Sequence, residues 1–174
     1  MPAALPDKPD LSDAEVLLLR QVAGGHLNAA VSRATGIAEA AVGPAITALT
    51  FKLGTPHRHR AAALGVGWGW VRVEDVPVSN PTSLPLPLRQ QEVLAGLVAG
   101  EEPKATAERL GLSEKTVRTY IQKILRTLGV RSRQQAAALA VLSGIVSLSI
   151  LGDGWPDTTL GKADDPAAQL AGVS

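Results

Sequence analysis

Hydrophobic residues recur at helical spacing along much of this chain, and the clearest case is the stretch 112–128. Apolar residues there fall at i, i+4, i+7 and i+11, which places them on one face of a helix. They are Val117, Ile121, Ile124 and Leu128. The opposite face holds only cations and hydrogen-bonding residues, namely Lys115, Arg118, Thr119, Gln122 and Arg126. Ser113 stands at the expected N-cap, so the pattern predicts an amphipathic helix that begins there.

A shift of 75 residues aligns the first half of the chain with the second half without a gap. Glycines and apolar positions coincide, including Gly25 with Gly100, Gly36 with Gly111, Val42 with Val117, Ile46 with Ile121, and Leu53-Gly54 with Leu128-Gly129. We therefore interpret the chain as two copies of one module. The predicted boundaries are 1–75 for the first copy, 76–85 for a Pro-rich linker, 86–151 for the second copy and 152–174 for an acidic tail.

Each copy has the same predicted order of elements: a helix, a short helix, a tight glycine turn, a third helix and a fourth helix. This order is the helix-turn-helix pattern. Both copies end in a short alternating stretch, 70–74 and 146–150, which predicts a strand that pairs with its counterpart or across a dimer. The predicted fold class is therefore mainly α, with two tandem four-helix helix-turn-helix domains that each end in a short β-strand.

The net charge of +1 conceals an uneven distribution. Residues 86–146 contain nine Lys or Arg and five Glu, a balance of +4, whereas 152–174 contain four Asp and one Lys, a balance of −3. The chain therefore combines a basic module with an acidic tail, and its few aromatic residues argue against a platform that stacks the bases of single strands.

Other classes of function are disfavoured. The chain has no cysteine, so thiolate metal sites and disulfides are excluded. The pair His57 and His59 lies in a basic run and is interpreted as solvated, so neither a metal nor a cofactor is predicted. No membrane span, signal peptide, nucleophile elbow or phosphate loop is recognisable. We expect a cytoplasmic, nucleoid-associated protein that is not an enzyme and has no membrane partner.

The second copy resembles a known family. Residues 110–125 read L-G-L-S-E-K-T-V-R-T-Y-I-Q-K-I-L, and the whole of 86–145, over a third of the chain, is similar to the LuxR/GerE-type DNA-binding domain. The resemblance implies a four-helix domain whose third helix enters the major groove of double-stranded DNA and whose fourth helix commonly dimerises. Two departures are Tyr120, where the family usually has His, and Glu102-Pro103, where it usually has Ser-Asn.

The resemblance also implies roles for individual residues. Positions matching Arg118, Thr119 and Gln122 approach base edges. Those matching Lys104, Lys115, Thr116, Tyr120 and Lys123 lie near phosphates. The residue types agree, because Arg can bind guanine bidentately, Gln can bind adenine, and cations neutralise phosphates. Ser113 and Arg126 complete the predicted DNA-binding set, while Arg131 and Arg133 are interpreted equally as phosphate contacts or as solvated helix-capping residues.

The first copy lacks this reading face. The positions equivalent to 115, 118, 119, 122 and 126 are Ala40, Gly43, Pro44, Thr47 and Phe51, none of which is charged. Pro44 also lies inside the expected helix, where it costs about 3 kcal/mol unless the helix starts late or kinks.

Two roles for the first copy remain open at this point. It could pair with the second copy or with another chain through the small residues of the fourth helices, or its apolar third helix could dock a partner. The candidate interface residues are Pro44, Phe51, Ala62, Ala137 and Val141. The chain is therefore predicted to be a transcriptional regulator, acting as a homodimer or an intramolecular pseudo-dimer. The alternative is an adaptor or anti-regulator that binds RNA polymerase or another regulator.

Overall fold

The computed structural model describes residues 5–79 and 86–152. Residues 80–85 of the predicted linker and 153–174 of the predicted acidic tail lie outside the described residues. Within the described ranges the chain forms eight α-helices and two short 3-10 helices, and no strand. The mainly α fold class predicted from the hydrophobic pattern is confirmed.

The helices follow the predicted order in both halves. In the first half they are α1 (Asp13–Ala23), α2 (Asn28–Thr35), α3 (Glu39–Lys52) and α4 (Arg58–Gly67). In the second half they are α5 (Leu88–Ala99), α6 (Pro103–Leu110), α7 (Glu114–Leu128) and α8 (Arg133–Leu142). Every helix of the second half starts 75 residues after its counterpart in the first half.

Local sequence accounts for several of the helix boundaries. Ser12 and Glu15 form a capping box at the start of α1, and Ser132 with Gln135 forms another at the start of α8. The turns that lead into α3 and α7 are made by Gly36 at φ 77° and Gly111 at φ 67°. A left-handed backbone at these points turns the chain sharply after the short helices, and glycine adopts it without a Cβ clash.

The prediction of strands at 70–74 and 146–150 is wrong. The chain there forms irregular segments that lead into the 3-10 helices Val73–Asp75 and Leu148–Leu151. The N–H groups of Val71 and Val146 donate to the carbonyls of Gly65 and Ala140, near the ends of the preceding helices, at 3.0 and 3.1 Å. Val71 and Val146 insert into the core after each fourth helix, since both are buried, whereas Val73 and Leu148 two residues further on are exposed.

The two halves share one hydrophobic core. Its centre is the pair α4 and α8, which pack against each other more extensively than any other two elements. Ala61, Ala62 and Ala63 in α4 are fully buried, as are Ala136, Ala137 and Ala138 in α8. Such small side chains allow two helix backbones to approach closely, so the fourth helices meet within the chain.

Contacts between the halves are reciprocal. A Cβ on Gly25 would lie 2.7 Å from Oε1 of Gln135, and a Cβ on Gly100 would lie 2.8 Å from Cδ of Arg60. Since Gly100 and Gln135 are each 75 residues after Gly25 and Arg60, each half presents the same two positions to the other. Arg60 also donates to the carbonyls of Ala99 and Leu151, both at 3.0 Å. This reciprocity is the pattern expected of a two-fold interface.

The first residues of the predicted linker pack against the second half. Val76 is buried, and the carbonyl of Pro77 accepts a hydrogen bond from Nε2 of Gln135 at 3.1 Å. The N–H of Ser79 donates to the carbonyl of Gly129 at 2.8 Å. Residues 76–79 therefore connect the end of the first half to Gly129, which follows α7, and to Gln135 in the first turn of α8.

A second contact between the halves involves His57, His59 and Glu102. His57 Nδ1 lies 3.0 Å from Glu102 Oε1. His59 is only 5% exposed. Burial lowers the pKa of His59 to about 4, and the neighbouring His57 and Arg133 lower it further than the Glu102 carboxylate raises it. The interpretation of both histidines as solvated is therefore wrong for His59, which the second half covers.

No single helix in the described residues is long and apolar enough to cross a membrane. The helices α2 and α3 together have sufficient length and apolar composition, but they are bent by 86° at the break between them.

The position of Pro44 generates a stability prediction. α3 begins at Glu39 and does not start late, so Pro44 lies inside it and supplies no N–H to the carbonyl of Ala40. We expect Pro44→Ala to raise the free energy of unfolding by about 1–3 kcal/mol. The equivalent position in α7 is Thr119, and Thr119→Pro should lower the free energy of unfolding by about 3 kcal/mol. Urea titration of both variants measures these changes; a Pro44→Ala protein no more stable than wild type would contradict this account.

The burial of His59 generates a pH prediction. Its pKa is about 4 in the folded chain and about 6.5 when unfolded. Between these values the unfolded state binds more protons, so stability rises with pH from about 4 to 6.5 and is lost as pH falls through that window. The loss attributable to His59 is on the order of 3 kcal/mol at most. The free energy of unfolding is measured by urea titration at pH 5 and at pH 7.5, in buffer with a chelator. The difference between the two pH values should be smaller for His59→Gln than for wild type. Equal changes in the two proteins would show that His59 is not the cause.

Candidate nucleic-acid interface

The helix α7 presents one apolar face and one polar face, as its sequence predicts. Val117, Ile121, Ile124 and Leu128 are all buried, between 0% and 8% exposed. The Ser113 hydroxyl accepts the N–H of Thr116 at 3.1 Å and caps the helix. Gly129 ends it with a left-handed backbone at φ 70°. The buried stripe and the two ends thus fix which residues of α7 face solvent.

Most of the predicted DNA-binding residues lie on the solvent-facing side of the second half. Those that are exposed are Lys104, Ser113, Lys115, Arg118, Thr119, Gln122, Lys123 and Arg126. Thr116 and Tyr120 are half-buried; Tyr120 packs partly against the core. Among the described residues no salt bridge involves Lys104, Lys115, Lys123 or Arg126. These four cations are therefore accessible to an anionic partner.

Arg118 is held by a residue that the sequence analysis missed. Its Nη2 donates to Oε1 of Glu114, one turn earlier on the same helix. Both side chains are substantially exposed, 59% and 44% respectively, so solvent screens the pair and it contributes little to stability. The spacing of Glu and Arg four residues apart was the available signal. The pair sets the direction of the guanidinium and also competes with any other acceptor.

The three hydroxyls on and beside the polar face form hydrogen bonds within α7 and its N-cap. Thr119 Oγ1 donates to the carbonyl of Lys115 at 3.1 Å, which leaves its methyl group free to face outward. Ser113 Oγ and Thr116 Oγ1 lie 2.7 Å apart at the N-terminus of the helix. Because the first N–H groups of a helix carry partial positive charge, this end is suited to bind a phosphate.

The orientation of α6 beneath α7 depends on a largely buried ion pair that sequence reasoning also missed. Arg109 donates to both oxygens of Glu101, from Nε at 2.7 Å and from Nη2 at 3.0 Å. The hydroxyl of Thr106 donates to the same carboxylate at 2.8 Å. Arg109 also reaches the carbonyl of Glu92 in α5 at 3.2 Å, so the network ties α5 and α6 together. Arg109 is accordingly a structural cation.

Arg131 and Arg133 differ in their surroundings. Arg131 is exposed, whereas Arg133 is half-buried and its Nη1 lies 3.4 Å from Oε2 of Glu102. Glu102 is the N-cap residue of α6 but makes no side-chain cap, since its oxygens are directed to His57 and Arg133 instead.

The predicted interface residues fall into two groups. Ala62, Ala137 and Val141 are buried in α4 and α8, inside the chain. Pro44 is exposed and Phe51 is 87% exposed on α3. A groove of about 390 Å³ adjoins Phe51 and is lined by Ile46, Thr47, Thr50, Gly54, Thr55, Pro56 and Arg58. The surface of α3 that corresponds to the basic stripe of α7 is thus exposed but uncharged.

Comparison with known proteins identifies the second half. Residues 84–140 match the family model of bacterial regulatory proteins of the luxR family. The spore germination protein GerE of Bacillus subtilis is 38% identical over 60 residues, 34% of this chain and 81% of GerE. Two transcriptional regulatory proteins of the same organism, YxjL and LnrK, are 37% and 42% identical over 62 residues.

The chain aligns with 28% of the length of YxjL and 28% of that of LnrK, and these alignments cover 36% of the chain. No solved structure matches it. YxjL and LnrK are named as transcriptional regulatory proteins, which agrees with the class of function predicted from the sequence. The chain belongs to the luxR family of bacterial regulatory proteins, and residues 84–140 carry that membership.

Proposed function

We propose that this chain is a transcriptional regulator that binds double-stranded DNA by inserting α7 into the major groove. The observation that carries the proposal is the polar face of α7, whose cations project from the side opposite a buried apolar stripe. The equivalent face of α3 has the same helical frame and no charge, so the fold does not require these cations. Their accessibility favours a polyanion as the partner.

The proposed contacts follow from side-chain chemistry. Arg118 reads guanine through O6 and N7, and Gln122 reads adenine through N6 and N7. The outward methyl group of Thr119 contacts thymine. Lys104, Lys115, Lys123 and Arg126 neutralise phosphates, while Ser113, Thr116 and Tyr120 bind the backbone near the N-terminus and flank of α7. Arg118 must leave Glu114 before it can bind a base. The Glu114 carboxylate therefore competes with the base for the guanidinium, and only a strong hydrogen-bond acceptor displaces it.

We further infer that the first half is a degenerate copy of the same domain and that the chain is an intramolecular pseudo-dimer. The identical spacing of helix starts and the reciprocal glycine contacts support this inference. The fourth helix, which the family commonly uses to dimerise, is covered here by α4. Each chain then has one DNA-binding helix, α7, and a homodimer would have to form through a surface other than α8. The proposed boundaries remain 1–75, 76–85, 86–151 and 152–174.

A second candidate function is supported by the exposed surface of α3. A phenylalanine that is 87% exposed beside an apolar groove is unusual for a solvated helix, and such surfaces often bind proteins. In this alternative the chain is an adaptor or anti-regulator, and Phe51 docks RNA polymerase or another regulator. DNA binding measured with the purified chain distinguishes the alternatives.

Substitution of Arg118 tests whether α7 recognises DNA. Selection of bound sequences from a random DNA pool should first give a preferred site. Arg118→Ala should weaken binding to that site by roughly 10- to 100-fold and relax selectivity at one base pair, because a bidentate contact is lost. Arg33→Ala, which removes an exposed cation from α2, is the control and should have little effect. Fluorescence anisotropy at several salt concentrations measures both. No selected sequence, or equal losses in the two variants, would favour the adaptor.

Removal of the first half tests the pseudo-dimer. The fragment 80–174 uncovers α8, and we expect it to self-associate through the exposed alanine face while the full chain remains monomeric at the same concentration. Sedimentation velocity measures the mass of each, and circular dichroism shows whether the fragment is helical. A helical fragment that stays monomeric and binds the selected DNA as tightly as the full chain would rule out the built-in partner.

A further inference from the structure

The cluster of His57, His59 and Glu102 brings three metal-ligating side chains together at the junction of the two halves. One potential ligand atom from each residue lies within 4.8 Å of those from the other two. His57 and His59 come from the start of α4, and Glu102 precedes α6. The Nε2 atom of His59 is buried and has no hydrogen-bond partner among the described residues. A buried nitrogen without a partner is costly unless a ligand satisfies it.

The backbone explains why the two rings share one side. Residues two apart in a continuous helix point in nearly opposite directions. His57 is instead the N-cap residue of α4, with an extended backbone at φ −100° and ψ 120°. This conformation brings the two rings into a stack whose centroids are 5.3 Å apart. Both imidazoles therefore face the Glu102 carboxylate.

The equivalent positions in the other half of the chain show that packing does not require these three residues. The positions 75 residues from His57, His59 and Glu102 are Ser132, Gln134 and Leu27. Ser132 caps α8, whereas neither His57 nor Glu102 caps the helix that follows it. A serine N-cap stabilises its helix, so this cluster forgoes stabilisation that the other half retains.

We propose that His57, His59 and Glu102 bind a divalent transition metal ion of the zinc type, which bridges the two halves of the chain. Two imidazole nitrogens and a carboxylate oxygen form a donor set that such ions accept, with a further position left for water. An open groove of about 520 Å³ at the cluster admits that water. Ligand atoms around tetrahedral zinc lie roughly 3.3 Å apart, so binding requires the side chains to close by up to about 1.5 Å.

The charge of the groove sets the expected affinity. Arg58, Arg131 and Arg133 line it, and Arg133 forms an ion pair with Glu102. These cations repel a metal ion, and the metal must displace Arg133 from the carboxylate. We therefore expect a dissociation constant of about 1–10 µM, well above that of structural zinc sites. Binding releases the Arg133 guanidinium into the groove.

Metal titration of the full chain tests the site and does not rest on DNA binding. Zn²⁺ in competition with a chromophoric chelator should bind with one equivalent per chain, and Co²⁺ should give a visible absorption band of a site containing nitrogen ligands. His57→Ser and His59→Gln place in the first half the residues that the second half has at these positions. Each variant, and Glu102→Gln, should weaken binding by at least 10-fold.

His26→Gln is the matched control, because His26 is the third histidine of the chain and lies outside the cluster. Its affinity for Zn²⁺ should equal that of wild type. Circular dichroism and urea titration show that the variants fold; His57→Ser, which restores a capping residue, decides the question if His59→Gln perturbs the core. No binding near one equivalent, unchanged affinity in His57→Ser, or an equal loss in His26→Gln would overturn the proposal.

Discussion

The close approach of α4 and α8 is the contact on which the rest of the structure depends. Three consecutive alanines in each helix are fully buried where the two helices pack. Larger side chains at these positions would force the backbones apart, because protein interiors have no spare volume. The approach also brings Gly25 against Gln135 and Gly100 against Arg60. Through this pair, two four-helix units that are too small to bury large cores share one continuous core.

A nearly symmetric scaffold carries surfaces that are not symmetric. The core positions of α3 and α7 correspond, yet α7 exposes cations where α3 exposes Ala40, Pro44 and Phe51. The junction carries His57, His59 and Glu102 on one side, and the equivalent positions on the other side hold no imidazole and no carboxylate. Since each half serves as an internal control for the other, residues that differ on the surface are not explained by the fold. They are the places at which functions of this chain are best sought.

The reading helix is positioned by residues that do not touch the proposed ligand. The Glu101 carboxylate binds Arg109 and Thr106 and ties α6 to α5, with both charged side chains largely buried. Breaking such a pair costs about 3–5 kcal/mol, because the remaining charge stays buried without its partner. α7 packs against both of these helices. An arginine in this basic half can therefore have a purely structural role, so net charge alone does not identify the residues proposed to contact DNA.

The sequence by itself determined the helices, their starts and the buried stripe of α7, because capping residues, turn glycines and apolar periodicity are local signals. Local signals misled at 70–74 and 146–150, where the alternation does not mark a strand: Val71 and Val146 are buried and their N–H groups bond back to the preceding helix. Only the tertiary structure decided that α4 packs on α8 within one chain, and that His59 is buried next to Glu102. These residues are far apart in sequence, and their proximity follows from how two amphipathic units bury their apolar faces together.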